Sequence, residues 1–206
     1  MFMMLLSTAI ITIDSNLYSF SNPYRENIRR DVLHSVKMAE PKIRKQWRHK
    51  QVETLTTALV AVEDVYPHIN HKYLLSTILT ESEMDIYCVP KHRNENGSID
   101  YGLSQQNSRY IKERYAKARK ILKSMHIKHT KNKFDILVNV MAGAVTLDEF
   151  KHDLTHKKYR NRIPKKYKHI AHFIAYNTGV GGFFNPNREH KRSQYYNRYK
   201  KYFVRL

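Results

Sequence analysis

The chain has 206 residues, 41% of them hydrophobic and 12% aromatic, enough for one domain with a real core. That composition excludes a chain disordered throughout and a multi-span membrane protein. Lys and Arg number 37 against 18 Asp and Glu, so the net charge of +19 calls for a polyanionic partner, whether nucleic acid, anionic lipid or an acidic cell-wall polymer. The single cysteine, Cys88, excludes an intrachain disulfide framework and a cysteine-based zinc site, and the six glycines form neither a P-loop nor a dinucleotide fingerprint.

Residues 1–13 (MFMMLLSTAIITI) are one apolar run ending at Asp14. The run is shorter than the roughly 20 residues of a spanning helix and has the length of a signal-peptide core, without the usual basic start or A-x-A site. The expectation for residues 1–20 is a signal or membrane-inserting segment, with a buried terminal helix or strand as the alternative. Residues 20–66 predict charged helices that start at Pro23 and Pro41. From Pro41 the apolar positions Ile43, Trp47, Val52, Leu55, Leu59 and Val62 keep helical spacing, and Pro67 ends the stretch. Residues 21–64 are read as a charged helical extension. Lys72–Thr80 predicts a short buried helix with Leu75, Ile78 and Leu79 on one face and Glu81 at its C-terminal end. Residues 88–100 form a polar loop with a tight-turn signal at Asn96-Gly97. Three helices follow at about 108–125, 134–154 and 165–178, the last capped by Gly179. The stretch from Asn185 to Leu206 is read as a basic, tyrosine-rich tail. No internal repeat is visible. The fold class expected is mainly α, with one small β-hairpin and an N-terminal helical extension.

Three blocks carry chemistry. The first is Glu81-Ser82-Glu83 at a helix end. The second runs from Asn96 to Tyr110 and contains Gly102-Leu103-Ser104-Gln105. The third is Ala175-Tyr176-Asn177-Thr178-Gly179-Val180-Gly181. Five of the six glycines lie in or just after the last two blocks, which suggests tight turns or close approach to a ligand. In this order the blocks resemble the soluble lytic transglycosylase and goose-type lysozyme superfamily, whose pattern is a catalytic Glu-Ser at a helix end, then G-L-[MF]-Q, then A-Y-N-x-G. Asn139 and Gly143 fit the family's N-x-x-x-G helix. The resemblance covers roughly residues 65–185 and implies a lysozyme-like domain there, with residues 186–206 as a basic aromatic tail. Ser104 stands where the family usually has Met or Phe, at a position that lines the saccharide groove.

A glycosidic oxygen leaves only when protonated, so its acid must hold a proton near neutral pH. Three features favour that state at Glu81. The helix C-terminus is partially negative. Leu75, Ile78, Leu79 and Met84 offer an apolar wall, and Glu83 and Asp85 add like charge. The resemblance implies that Glu81 is the catalytic acid and that the Tyr176 hydroxyl meets its carboxylate. It implies sugar binding by Ser82, Gly102, Leu103, Ser104, Gln105, Asn107, Asn177 and Gly179. A lytic transglycosylase needs only one Glu, first as acid and then as base toward the 6-hydroxyl of muramic acid. An inverting hydrolase needs a second carboxylate about 6.5–9.5 Å away. Asp100 and Glu95 are the candidates for that role.

No cofactor or metal is expected. His126/His129 and His152/His156 have helical spacing but no supporting carboxylate motif and are read as surface residues. The function expected is a lytic transglycosylase acting on peptidoglycan glycan strands. The alternatives are a goose-type hydrolase and a non-catalytic glycan- or nucleic-acid-binding structural protein. An anionic envelope polymer, a membrane surface and a protein assembly partner are further expected partners, with nucleic acid ranked lower. The expected place is the cell envelope, the alternative a virion component.

Overall fold

A proline at the first helical position opens both α1 (Pro23–Met38) and α2 (Pro41–Arg44), as the fixed φ of proline favours. Asn22 caps α1 by accepting the Tyr24 N–H. A computed structural model describes residues 22–206. The expectation for residues 1–20 lies outside the described residues. The stretch from Pro41 is not one helix. It breaks at Lys45–Arg48, and α3 (His49–Val65) begins after Arg48 turns extended. Its apolar positions are nonetheless those named above, and Val52, Leu55, Leu59 and Val62 are buried.

Helix α4 (His71–Ser82) follows, capped by Asn70. A two-stranded antiparallel hairpin, β1 (Asp100–Tyr101) and β2 (Gln106–Asn107), pairs Asp100 with Asn107 and Tyr101 with Gln106. Then come α5 (Ile111–Ser124), α6 (Ile136–Thr155) and α7 (Lys157–Arg160). Residues 165–178 do not form one helix: Lys165–Tyr167 is a 3₁₀ turn and α8 (Ala171–Phe183) starts later. Gly179 interrupts α8 with φ +67° and ψ 164°, a region open essentially to glycine, where an L side chain would cost about 1–3 kcal/mol.

Helix α6 is buried on every side from Ile136 to Leu147, so it runs through the centre, with α3, α5 and α8 around it. The stretch read as a tail is helix α9 (Glu189–Phe203), which packs on α4. Arg192, Tyr195 and Tyr199 are buried at helical spacing. One apolar cluster runs from Ile28 through Tyr199, so residues 22–64 and 186–206 share a core with residues 65–185. The described residues are thus mainly helical, with nine α-helices and one hairpin. None of those helices is long and apolar enough to cross a membrane.

Candidate active site

The C-terminal end of α4 is made by force of its surroundings. Glu83 and Met84 both take left-handed φ, +53° and +70°, which is strained for non-glycine residues. The segment between α2 and α3 holds them there. Trp47 donates Nε1–H to the Met84 carbonyl at 2.8 Å. Gln46 donates to Asp85 Oδ1 at 2.9 Å and accepts the Ile86 N–H at 3.0 Å. This turn fixes the last helical residues, Glu81 and Ser82.

Glu81 is half-buried at the wall of a cleft of about 850 Å³. Its carboxyl is pushed up to about 7, mainly by burial. A hydrogen bond from the Tyr195 hydroxyl opposes the shift, the negative charge of Asp100 adds to it, and Arg198 opposes it. Glu83 and Asp85, expected to supply the like charge, do not: Glu83 is exposed with Arg198 at 3.4 Å, and Asp85 is tied to Gln46. Arg198 also donates to the Thr80 carbonyl at 2.8 Å.

The hydroxyl that reaches Glu81 belongs to Tyr195 on α9, which donates to Oε1 at 2.8 Å. The expected contact from Tyr176 is replaced by another. The Tyr176 hydroxyl donates to the Ser104 carbonyl at 2.6 Å and accepts from Gln106 Nε2 at 2.6 Å. It therefore ties α8 to the hairpin. Tyr176 still lines the cleft, and Glu81 is felt there: burial first, then the Glu81 charge, holds the phenol well above its usual range.

Glu81, Glu95, Asp100, Gln105, Asn107, Tyr176, Asn177 and Gly179 all line this one cleft. Ser82, Gly102, Leu103 and Ser104 do not. Ser82 is buried and donates to the Ile78 carbonyl at 3.0 Å, within its own helix. Leu103 is buried in the core. Ser104 is fully buried, with its N–H on Asn139 Oδ1 at 2.8 Å and its hydroxyl on the Asn139 carbonyl at 2.6 Å. It is a clamp to α6, not a groove wall. Gly102 turns with φ +73°, and a Cβ there would lie 2.5 Å from Asn139 Nδ2. Gly143 is needed for the same closeness, since its Cβ would lie 2.8 Å from Ser104 Cβ. The Asn139 amide completes the clamp by donating to the Tyr101 carbonyl at 2.9 Å and the Tyr115 hydroxyl at 2.8 Å.

The two candidate second carboxylates differ in setting. Asp100 accepts from Asn107 Nδ2 at 2.8 Å and Asn94 Nδ2 at 3.1 Å. Glu95 is exposed and bound by Arg188 at 3.0 Å and Lys191 at 3.5 Å, which occupy the oxygens a base would use. Gln105, at φ +44°, donates to the carbonyls of Gly102 (2.8 Å) and Cys88 (3.2 Å).

Tyr195 was missed because its surroundings read as a charged tail. The signal was present in the i, i+4, i+8 spacing of Tyr195, Tyr199 and Phe203, one aromatic stripe beneath the cations. No family model, no curated protein and no solved structure matches the chain.

Proposed function

We propose that the chain is a peptidoglycan-cleaving lytic transglycosylase with a lysozyme-like fold. The observation that carries this reading is Glu81: a half-buried carboxyl at a cleft, lifted to about 7 and held by one tyrosine hydroxyl. Such a group keeps much of its proton at neutral pH and has a partner ready for the carboxylate that remains. Glu81 gives its proton to the glycosidic oxygen between N-acetylmuramic acid and N-acetylglucosamine. The resulting carboxylate takes the proton of the muramic 6-hydroxyl, and that oxygen closes on C1 to give a 1,6-anhydro ring as the C1–O bond breaks and the protonated oxygen leaves on the N-acetylglucosamine. The Tyr195 hydroxyl donates to the carboxylate and fixes its direction between the two transfers. Polar amides at the cleft, Gln105, Asn107 and Asn177, suit the hydroxyl and acetamido groups of a sugar chain.

A hydrolytic reading has one specific support. Asp100 lies in the same cleft, and its charge is felt at Glu81, so it is the residue to activate a water. The activity belongs at the cell envelope or in a virion that must open a wall. Release of soluble fragments from purified peptidoglycan by the full chain tests the reading. Glu81→Gln should lower the rate by at least about 10³-fold while leaving the circular dichroism spectrum unchanged. Equal release by both proteins would contradict it.

A further inference from the structure

Charge in this molecule is segregated. Residues 154–188 contain no Asp or Glu. Within them Lys157, Lys158, Arg160, Arg162, Lys165 and Lys168 are exposed. Among the described residues no ion pair holds any of these six, whereas Lys166 is tied to Glu189 at 2.9 Å. This is not a loose tail. The stretch is α7 followed by a 3₁₀ turn, and Leu154, Tyr167 and Ile170 anchor it in the core. Ordinary surfaces mix both signs, and like charges held together repel one another.

The acids are gathered elsewhere. Glu113, Glu149 and Asp153 line the cleft together with Glu81, Glu95 and Asp100, six acids against the three cations Arg114, Arg188 and Lys191. A polyanion is therefore disfavoured in the cleft and drawn to the 157–168 ledge beside it. The two are neighbours: Tyr159 of the ledge stacks on Phe184 at 5.0 Å, close in the chain to the cleft residue Val180. The aromatic rings of the ledge are already covered. Arg162 lies 5.0 Å from the Phe184 ring, Lys158 5.3 Å from that of Tyr159, and Lys166 4.7 Å from that of Tyr167. Single-stranded nucleic acid binders keep ring faces open for bases. Exposed cations without open rings fit a phosphate chain that carries no bases.

We propose that residues 157–168 form a docking ledge for a polyol-phosphate polymer of the cell wall, which holds the protein on the wall while the uncharged glycan enters the cleft. The assignment of this polymer to the wall rests on the glycan-cleaving reading above.

The test uses the full chain and a triple variant, Lys158→Gln, Arg162→Gln and Lys165→Gln, with immobilised synthetic poly(glycerol phosphate) as the probe. A flexible phosphate chain loses about 0.7 units of log-log salt slope per phosphate neutralised. Six cations therefore predict a slope of about −4, and the triple variant about −2. At low salt its affinity should fall at least about tenfold. Absence of binding by the wild type, or equal slopes, would overturn the proposal. So would displacement of the polymer by duplex DNA at equal phosphate concentration, which would assign the ledge to nucleic acid. Cleavage of polymer-free glycan strands is measured in parallel and should be equal for the two proteins. Loss of cleavage with the polymer still bound would remove the glycan reading and leave the ledge standing. Cleavage without polymer binding would remove the ledge and leave the glycan reading.

Discussion

Glu81 stands at the negative end of a helix, half-buried and within the field of Asp100, three reasons for a carboxyl to stay protonated. Its raised pKa makes it a cost to the folded state once ionised. That cost is absent below about pH 4.5, the unfolded value, and grows as pH rises toward about 7. Glu81→Gln should therefore raise the melting temperature at pH 8 and leave it nearly unchanged at pH 4, as read by calorimetry. A variant less stable than the wild type at pH 8 would contradict the burial argument. On the proposed reading the same pKa sets the alkaline limb of activity, because the acid is lost as pH rises through about 7. The Tyr195 hydroxyl favours the charged form, so Tyr195→Phe should move that limb to higher pH and slow turnover by about tenfold, the worth of one hydrogen bond to a charged group. Tyr176→Phe removes a hairpin tie instead and should lower stability by about 1 kcal/mol without moving the limb.

Helix α4 is the element on which the site depends, and both its ends are held by neighbours. At its N-terminus His71 bridges Glu63 of α3 at 2.9 Å and Asp31 of α1 at 3.0 Å. Burial opposes a charge on this imidazole, but hydrogen bonds to the two carboxylates outweigh it and raise the pKa. Lys72 also faces Asp31, at 3.7 Å. The stabilisation is fully present below about pH 6.5 and is lost as pH rises through the raised folded value. His71→Gln should therefore flatten the fall in stability on the alkaline side, which urea titrations between pH 5 and 9 would detect. The hairpin depends in the same way on α6. Gly102→Ala should cost at least about 1–2 kcal/mol from its left-handed backbone alone, before the clash with Asn139. Much of this was legible in residues. The apolar spacing of Leu75, Ile78 and Leu79 announced α4, and Asn96-Gly97 announced a turn before β1, whereas the hairpin itself closes later, between Tyr101 and Gln106. Other parts were not. Ser104 and Ser82 look like groove residues in a linear string, yet backbone carbonyls 35 and 4 residues away take their hydroxyls. The tyrosine on Glu81 comes from 114 residues downstream, a pairing set by the docking of α9 on α4 rather than by local spacing.

At the scale of the whole molecule, a +19 chain folds around a cleft lined by six of its 18 acids. Net self-repulsion of this size is screened within about 10 Å at 0.1 M salt. Raising ionic strength from about 0.01 to 0.15 M should therefore raise the melting temperature, the reverse of a fold held by surface ion pairs. On the proposed reading, the sharing of roles between the cleft and the cationic surface depends on what Glu81 does. The most direct measurement is mass spectrometry of the fragments released from purified peptidoglycan by the full chain. Fragments ending in 1,6-anhydromuramic acid, absent with Glu81→Gln, are the expected result. Reducing-end fragments would contradict the single-residue acid and base role and assign the water-activating step to Asp100. A folded protein that releases nothing would contradict the enzymatic reading itself.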